Sequence, residues 1–504
     1  MNMELKSLQQ ALDALYKLEK THAAYRHAMA VLELDGAASA PDDSWEGRGI
    51  TMGVLSEAVY SLIAKEENGI LLNYLEEHTS ELSDTDRRKV EMVRKEYSQL
   101  SRIPQEEYVA YNVLLNDAQN YWEKAKNASD FSVFQPYLEQ IIFYNRKFAG
   151  YYDAKKAPYD ALLNEYEEGM TMEVLDAFFA QLRSAIVPLL SKISQTENPE
   201  EAFVHGCYPV EVQRKFSDYL MEVMGLDRNR CGIAETEHPF TTNFNNKDVR
   251  ITTHYYEDNM MSSMYSVIHE GGHALYELGA DDKYNYTVLG GGVSMGIHES
   301  QSRFYENLIG RSEAFIRCIF PKVKELFPEQ FADVTADQLY RAVNRAEASL
   351  VRVEADELSY CLHVMVRYEI EKQLIGGTLE VKDVPAQWNR LYKEYLGLDV
   401  PNDAMGCLQD IHWSCGNIGY FPSYALGSAY GAQMLNVMEK ELGDIWTDVE
   451  KGDLSRVTGW LKEKIHRHAA FKKPGVLFED ACGKFDAKYY TDYLTEKFTK
   501  LYNL

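Results

Sequence analysis

The sequence predicts a mainly α-helical protein with a small β-sheet near its centre. Long segments carry apolar residues at helical spacing, whereas strand-like patterns are few and cluster between positions 231 and 256. Neither an internal repeat nor a linker of biased composition is found along the chain. We therefore predict one unit over 1–504, with a helical part at about 1–200 and a second part at 201–504.

The elements follow from apolar spacing and from the distribution of turn-forming residues. Helices are predicted at 3–34, 84–100, 105–126, 172–195, 336–372 in pieces, and 453–468. Loops are predicted at 35–49, 197–206 and 402–427, where glycine, proline and polar residues concentrate. Alternating residues at 248–256 predict a strand.

Composition excludes several classes of partner. With 504 residues, 45% of them hydrophobic, the chain can bury an ample core. Its 78 acidic and 52 basic residues give a net charge of −26, which opposes binding to nucleic acid or to an anionic membrane. Positions 1–10 lack an apolar signal region, and no run reaches the length of about 18 apolar residues that a membrane span needs.

The cysteines indicate a reducing compartment. Seven cysteines are an odd number and lack paired close spacings, so neither a disulfide framework nor a cysteine metal site is indicated. We therefore expect reduced thiols and a cytoplasmic protein.

The stretch from His269 to His273, with Glu270 beside the first histidine, is the most informative in the chain. Two imidazoles four residues apart leave one face of a helix about 6 Å apart along its axis, so both can bind one metal ion. Glu270 can stand near the open position of the metal and take a proton from water. The alternative is two ordinary histidines on a packed helix.

Two glycines interrupt this predicted helix. Gly271 and Gly272 each cost about 1 kcal/mol relative to alanine, so helix propensity disfavours both in a surface helix. Close approach of substrate or of another backbone would explain them.

A catalytic zinc site usually has three protein ligands and one open position. Glu299, near the start of a second helical pattern, is the predicted third ligand. His298 competes with it, because adjacent helical residues point about 100° apart and only one of the two can face the metal. His298 would otherwise bond to substrate or to Glu299.

Six short motifs lie in a fixed order between positions 238 and 413. They are His238-Pro239-Phe240, Asp248-Val249-Arg250-Ile251-Thr252, His269 to His273, His298-Glu299-Ser300-Gln301, Val351-Arg352-Val353-Glu354-Ala355-Asp356, and Gly406-Cys407-Leu408-Gln409-Asp410-Ile411-His412-Trp413. Together they closely resemble the carboxypeptidase Taq family of metallocarboxypeptidases. The resemblance implies a large helical metallopeptidase with a deep substrate groove, one divalent metal ion, zinc or in some members cobalt, and a homodimer that releases single amino acids from peptide C-termini.

Such an enzyme must bind a free α-carboxylate, and arginine offers a planar fork for it. Arg352 is the preferred candidate, in a helical run where Asp356 four residues later could orient it. An ordinary intrahelical ion pair is the alternative. Arg250 is the second candidate, on a predicted strand that could pair its edge with extended substrate, and a salt bridge with Asp248 is its alternative.

Hydrolysis also needs a donor for the developing oxyanion. His412 and Tyr420 are the candidates, with Tyr424 nearby in the same predicted loop. For any single tyrosine, packing in the core is the alternative. His238 is expected to shape the groove wall.

The predicted mechanism has zinc held by His269, His273 and Glu299, with Glu270 as the general base and peptides with a free C-terminus as substrates. One alternative is an oligopeptidase or dipeptidyl carboxypeptidase with the same metal chemistry. Another is an inactive helical scaffold that the metal only stabilises. Glu270 argues against the scaffold, because a structural site has no use for an unligated base.

Overall fold

The computed structural model describes residues 7–504, the side chain of Asp42 excepted, and positions 3–6 of the first predicted helix lie outside this range. Helices and three strands succeed one another along the described chain. They are α1 Leu8–Ala38, α2 Trp45–Ile63, α3 Glu66–Glu77, α4 Asp84–Arg102, α5 Gln105–Ala128, α6 Gln135–Tyr152, α7 Pro158–Tyr166, α8 Met172–Ile193, α9 Val210–Val223, β1 Cys231–Glu235, β2 Thr241–Asn245, β3 Asp248–Thr253, α10 Met260–Gly279, α11 Met295–Arg303, α12 Glu313–Leu326, α13 Ala336–Val343, α14 Tyr360–Gly376, α15 Val384–Leu396, α16 Pro422–Leu442, α17 Trp446–Glu450, α18 Ser455–Lys464, α19 Pro474–Cys482 and α20 Lys488–Tyr502. The predicted mainly helical fold with a small sheet is confirmed.

Several predicted helices start where a capping residue stands. Ser83 accepts a hydrogen bond from the backbone N–H of Asp86 and begins α4, and Thr171 does the same for Val174 in α8. Two predicted loops are partly wrong. Within 35–49, α1 continues to Ala38 and α2 already begins at Trp45, and the loop at 402–427 ends where Pro422 starts α16. Proline fits the first turn of a helix because its missing N–H has no partner there.

The sheet has the strand order β1-β3-β2, with β1 parallel and β2 antiparallel to β3. The strand predicted at 248–256 is therefore confirmed as β3, but it occupies the centre of the sheet. Both of its edges are paired, so the expectation that it binds extended substrate by edge pairing is wrong. Strand β2 is an edge strand, and α10 packs against both β2 and β3.

Apolar residues form one large core and two smaller ones among the described residues, the smallest of them made by Tyr284, Leu289 and Ala469. The large core extends from Leu114 to Tyr502 and includes α10, α11 and α16. The second core lies between Ala11 and Val93, within the first four helices.

Helix α8 is long and apolar enough to cross a membrane by length and composition alone. Its most apolar window has a mean hydropathy of 1.4, and 39% of that window is buried inside the protein. Core helices of soluble proteins pass the same test. In this fold α8 packs against α14, α15 and α20, and its buried apolar residues join the large core.

A cavity of about 820 Å³ separates the N-terminal helices from the sheet. Residues of α1 and α4 line one side, and β2 together with the segment Gly290–Gly292 lines the other. The family resemblance implies a deep groove, and this cavity is the candidate for it.

Candidate metal centre and carboxylate-binding site

Helix α10 carries the two predicted histidine ligands. Asn259 begins it by accepting hydrogen bonds from the backbone N–H groups of Met261 and Ser262. His269 and His273 lie one turn apart, with ring centroids separated by 5.0 Å. The side chain between them in sequence, Glu270, is buried.

The glycines of α10 allow other residues to approach its backbone closely. A Cβ atom at Gly272 would lie 2.6 Å from the carbonyl oxygen of Gln301 and 2.8 Å from Cα of Ser302, both in α11. One at Gly271 would lie 2.7 Å from Cε of Met224. A Cβ atom at Gly427 of α16 would lie 2.6 Å from Cβ of Glu299, also in α11. The predicted close approach at Gly272 is therefore confirmed as one between two helix backbones.

The three predicted metal ligands lie together. Oε2 of Glu299 is 3.7 Å from Nε2 of His269 and 3.6 Å from Nε2 of His273. These three side chains form a group whose donor atoms all lie within 4.8 Å of one another. Two imidazole nitrogens and a carboxylate oxygen are a common donor set for a catalytic divalent cation.

Each histidine uses its other ring nitrogen for a hydrogen bond within the protein. Nδ1 of His269 lies 2.7 Å from Oε2 of Glu306. Nδ1 of His273 lies 2.6 Å from Nδ1 of His298, whose Nε2 lies 2.7 Å from Oε1 of Glu277. With the protons on Nδ1 of both helix α10 histidines, their Nε2 lone pairs point toward the metal position. The donor set therefore fits a divalent cation.

His298, the competing ligand candidate, bonds to protein groups through both ring nitrogens, to His273 and to Glu277. Glu299 rather than His298 therefore faces the two histidines of α10 in this structure, and the predicted role of His298 toward substrate stays a prediction. The His298 ring also lies 5.1 Å from that of Tyr276.

Arg303 fixes the orientation of the Glu299 carboxylate. Its Nε donates to Oε1 of Glu299 at 2.8 Å, and its Nη1 donates to Oε2 of Glu306 at 3.1 Å. A π-helical turn at Phe304–Ile309 follows α11 and carries Glu306 to His269. Oε2 of Glu299 accepts a hydrogen bond from the hydroxyl of Ser302 at 3.1 Å and faces the two histidines.

Burial and neighbouring charges set the protonation of this cluster. Burial raises the pKa of the Glu270 carboxyl, which makes it a better proton acceptor once it is ionised. Burial also holds the pKa of His273 well below its usual range, so its Nε2 lone pair is available. Burial opposes ionisation of Glu306, but Arg303 and His269 outweigh it and hold the pKa of Glu306 well below its usual range.

The environment of Arg352 differs from the one predicted. Arg352 lies in a short 3-10 turn, Arg352–Glu354, rather than in an α-helix. Asp356 bonds instead to the hydroxyl of Ser359 and to backbone N–H groups, so the predicted pairing of Arg352 with Asp356 is wrong. The partner of Arg352 is Asp410, with N–O distances of 3.0 and 2.8 Å.

Asp410 is shared between two guanidinium groups. Arg367 donates to its Oδ2 from Nε at 2.9 Å and from Nη2 at 2.7 Å. Two cations thus face one carboxylate, which leaves one positive charge uncompensated within this group of three. Nη1 of Arg352 also donates to the hydroxyl of Tyr360 at 3.0 Å, and the Tyr360 ring lies 4.3 Å from the guanidinium of Arg303. One aromatic ring therefore separates Arg352 from the arginine that holds Glu299.

Arg250 forms the salt bridge that was its alternative interpretation. Its Nε and Nη2 donate to Oδ1 and Oδ2 of Asp248 at 2.9 and 2.8 Å, and its guanidinium stacks 4.7 Å from the ring of Phe244. His238 lies between β1 and β2 with an exposed side chain, and its carbonyl accepts a hydrogen bond from Thr236.

The predicted oxyanion donors form an aromatic cluster next to Arg352. Nε2 of His412 lies 3.0 Å from the hydroxyl of Tyr424, and the Tyr420 ring lies 5.6 Å from the imidazole. Burial lowers the pKa of His412 to about 4, so the imidazole is neutral at pH 7. Tyr420 lies in the loop as predicted, but Tyr424 belongs to the first turn of α16, and the Arg352 guanidinium lies 5.0 Å from its ring.

Comparison with known proteins decides the family. Residues 14–498 match the model of a family described as carboxypeptidase Taq (M32) metallopeptidase. The chain belongs to the carboxypeptidase Taq family. It is 41% identical to "Carboxypeptidase 1" of Bacillus subtilis (strain 168), over 97% of this chain and 98% of the relative. It is 34% identical to "Thermostable carboxypeptidase 1" of Pyrococcus furiosus, over 94% and 95% of the two chains.

A solved structure agrees with this family assignment. The M32 carboxypeptidase from Deinococcus radiodurans R1 superimposes with a TM-score of 0.96 at 36% identity, over 98% of this chain and 100% of the other. The chain is thus a metallopeptidase of the carboxypeptidase type, and membership of the carboxypeptidase Taq family implies a divalent metal.

Sequence reasoning missed several residues that surround this carboxypeptidase Taq site. Glu277 follows His273 by one helical turn and Glu306 follows Glu299 by two, so helical spacing could have found both. Asp410 lies inside a motif, but local spacing does not identify Arg352 as its partner. Thr241 has no motif signal, although its hydroxyl donates to Oε2 of Glu270 at 2.5 Å.

Proposed function

We propose that this protein hydrolyses the last peptide bond of peptides with a free C-terminus and releases single amino acids. The observation that carries the proposal is the convergence of Nε2 of His269, Nε2 of His273 and Oε2 of Glu299 next to a buried Glu270 that is not one of the three converging side chains. An unligated carboxyl next to such a donor set suits proton transfer rather than a purely structural metal site.

The proposed ligands are His269, His273 and Glu299, and the proposed metal is zinc, with cobalt as the alternative ion. A divalent cation held there supplies Lewis-acid chemistry, which polarises a carbonyl group and makes water more acidic. Glu306 and the pair of His298 and Glu277 orient the two imidazoles through their Nδ1 atoms.

Glu270 acts as the general base in this mechanism. Its carboxylate takes a proton from the attacking water and passes it to the nitrogen of the leaving amino acid. The buried setting that raises its pKa strengthens it as an acceptor. His412 and Tyr420 are proposed to stabilise the developing oxyanion, because both are polar donors in the cluster beside Arg352.

Arg352 is the proposed anchor for the C-terminal carboxylate of the substrate. Its group of two arginines and one aspartate carries an excess positive charge, and Tyr360 connects it to Arg303 beside Glu299. An anchor at this position presents the terminal peptide bond, rather than an internal one, to the metal ligands. Arg250 is less suited to this role because Asp248 pairs with it alone and neutralises its charge, whereas Arg352 shares Asp410 with a second arginine.

We propose that the cavity of about 820 Å³ binds the remainder of the peptide. The helices before about residue 200 would then cover one side of the groove, the metal site would be built by residues after 200, and His238 would shape the groove wall. Acidic residues outnumber basic ones among the lining side chains, which attracts cationic peptides. The acidic ones are Glu19, Glu33, Glu96, Glu165, Glu277 and Asp281, and the basic ones are Arg26 and Lys95.

A homodimer in the cytoplasm is the proposed state of the enzyme. Five large apolar side chains of α2 and α5 are more than half exposed, and the stacked rings of Tyr60 and Tyr108, 5.5 Å apart, connect the two helices. The five are Trp45, Ile50, Val54, Val109 and Val113. An apolar surface of this kind suits contact with a second copy, which light scattering of the purified protein tests.

The proposed cytoplasmic location agrees with the state of the cysteines. All of them are free, as expected in a reducing compartment.

Time-resolved mass spectrometry of a mixed peptide library, after metal analysis of the purified protein, tests the proposed function. We expect one zinc ion per chain and products that shorten by one C-terminal residue at a time. Release of dipeptides or internal fragments would favour the alternative of an oligopeptidase or dipeptidyl carboxypeptidase. Bound metal without any cleavage would favour the inactive scaffold.

A further inference from the structure

Thr241 contacts the proposed general base directly. Its hydroxyl lies 2.5 Å from Oε2 of Glu270 and 3.1 Å from the carbonyl oxygen of the same residue. Thr241 is the first residue of β2 and also lines the large cavity. Both acceptors within reach of its single hydroxyl proton therefore belong to Glu270.

The sheet holds Thr241 in this position through its neighbour in sequence. The hydroxyl of Thr252 on the central strand accepts a hydrogen bond from the backbone N–H of Phe240 at 2.9 Å. The carbonyl of Phe240 accepts one from the backbone N–H of Thr252 at 2.8 Å. Thr241 is itself paired with Ile251 in the antiparallel register of β2 and β3. The start of β2 is thus fixed against the centre of the sheet, while α10 packs on the same two strands.

We propose that Thr241 is a positioning residue that selects which oxygen of Glu270 receives the proton from water. Its hydroxyl binds Oε2, which leaves Oε1 as the proton acceptor. The inference rests on the proposed role of Glu270 as general base.

The physical reason is the freedom of a glutamate side chain. Several rotatable bonds let an unrestrained carboxylate point away from the reacting water, and misplacement by about 1 Å can cost about 100-fold in rate. An O–H donor to an ionised carboxylate makes one of the stronger hydrogen bonds in proteins. Threonine is a rigid donor because its branched β-carbon restricts χ1. Thr241 therefore orients Glu270 without adding a charge to the site.

Three variants test this inference in the metal-loaded enzyme. Thr241→Val keeps the shape of the side chain but removes the donor, so kcat should fall by about 10-fold to 100-fold while KM and metal content stay near wild type. Thr241→Ser retains the hydroxyl and should restore kcat to within about threefold of wild type. Thr253→Val is the matched control, because the buried hydroxyl of Thr253 on β3 has no hydrogen-bond partner among the described residues.

The Glu270→Gln background separates a positioning role from a structural one. There Thr241→Val should cause no further loss of the residual rate, since the carboxylate that Thr241 orients is gone. An equal loss in both backgrounds, or a Ser variant as slow as the Val variant, would overturn the inference. Full activity of Glu270→Gln alone would instead overturn the proposed role of Glu270, so the two failures are distinguishable.

Discussion

Arg352 donates twice to Oδ1 of Asp410, from Nε at 3.0 Å and from Nη2 at 2.8 Å. Burial opposes the ionisation of Asp410, but the guanidinium groups of Arg367 and Arg352 outweigh it and hold its pKa well below its usual range. The carboxylate is therefore ionised at neutral pH, and it fixes the plane of the Arg352 fork.

Asp410→Asn should destabilise the protein and weaken substrate binding together. The amide removes the only negative charge between two buried guanidinium groups, and breaking a buried ion pair costs about 3 to 5 kcal/mol. Urea unfolding measures this loss, and KM for free-acid peptides should rise. Asp399→Asn is the control, because its exposed pair with Lys393 should contribute less than about 1 kcal/mol. Equal effects of the two substitutions would contradict the buried ion pair as the cause.

Arg352→Lys should lower kcat/KM for free-acid peptides by roughly 10-fold to 1000-fold, or about 1.4 to 4 kcal/mol, because lysine loses the two-pronged geometry. The useful quantity is kcat/KM for free-acid peptides divided by kcat/KM for amidated peptides. General damage to folding or metal binding lowers both values equally and cancels in this ratio. This ratio should fall toward one in the variant. An unchanged ratio would remove Arg352 from carboxylate binding and make Arg250 the next residue to substitute.

Glu270→Gln should retain the metal and lose nearly all turnover. The amide keeps the shape of the side chain and can still accept a hydrogen bond from Thr241, but it cannot take a proton from water. Metal analysis and steady-state kinetics on the same preparation measure the two properties. Loss of the metal would mean that Glu270 is a ligand.

Glu299→Ala should empty the metal site or weaken it severely, since two histidines alone lack the third ligand. His298→Ala should be milder, with a loss in metal affinity of about 10-fold to 100-fold, because His298 acts through His273. Competition with a chelator measures both affinities. A reversed order of the two effects would make His298 the ligand.

Glu371 should make the stability of the protein depend on pH. Burial raises the pKa of Glu371 to about 7 from an ordinary value of 4.5, although Trp413, Tyr159 and Gly419 donate hydrogen bonds to its carboxylate. The folded state therefore binds this proton more tightly than the unfolded state does, and the stabilisation present below pH 4.5 is lost as the pH rises toward 7. The loss amounts to about 3 kcal/mol.

Urea unfolding at pH 5 and pH 8 tests this dependence on Glu371→Gln, which cannot titrate. The difference in free energy of unfolding between wild type and variant should shift by about 2.5 kcal/mol in favour of the variant at the higher pH, because part of the stabilisation is already lost at pH 5. Glu479→Gln, at an exposed position, controls for the removal of a negative charge. A constant difference between the two pH values would contradict the raised pKa.

Local pattern was enough to predict much of the helical framework and the metal group. The apolar spacing placed α4, α5 and α8 within a few residues of their observed ends. The ligands His269, His273 and Glu299 were predicted together because helical geometry relates the first two and a motif supplies the third. Helical spacing and short motifs can both be recognised within a short stretch of sequence.

Long-range pairings could not be predicted in the same way. Arg352 was expected to pair with Asp356 one turn later, yet it lies in a 3-10 turn and its partner is Asp410, 58 positions along the chain. Strand β3 was identified, but its central place follows from β1 and β2 pairing on either side. Such partners depend on how distant elements pack.

The close packing at Gly272 and Gly427 leaves no room to change the spacing between the helices that carry the proposed metal ligands. Helix α11 lies against the backbone of α10 at Gly272 and against that of α16 at Gly427, and a methyl group at either glycine would meet α11 atoms at 2.6 Å. The separation between His273 and Glu299 is therefore set by how closely two main chains can approach, a quantity that thermal motion changes little. Even alanine, the mildest substitution available, would require α11 to shift, and with it the proposed ligand Glu299.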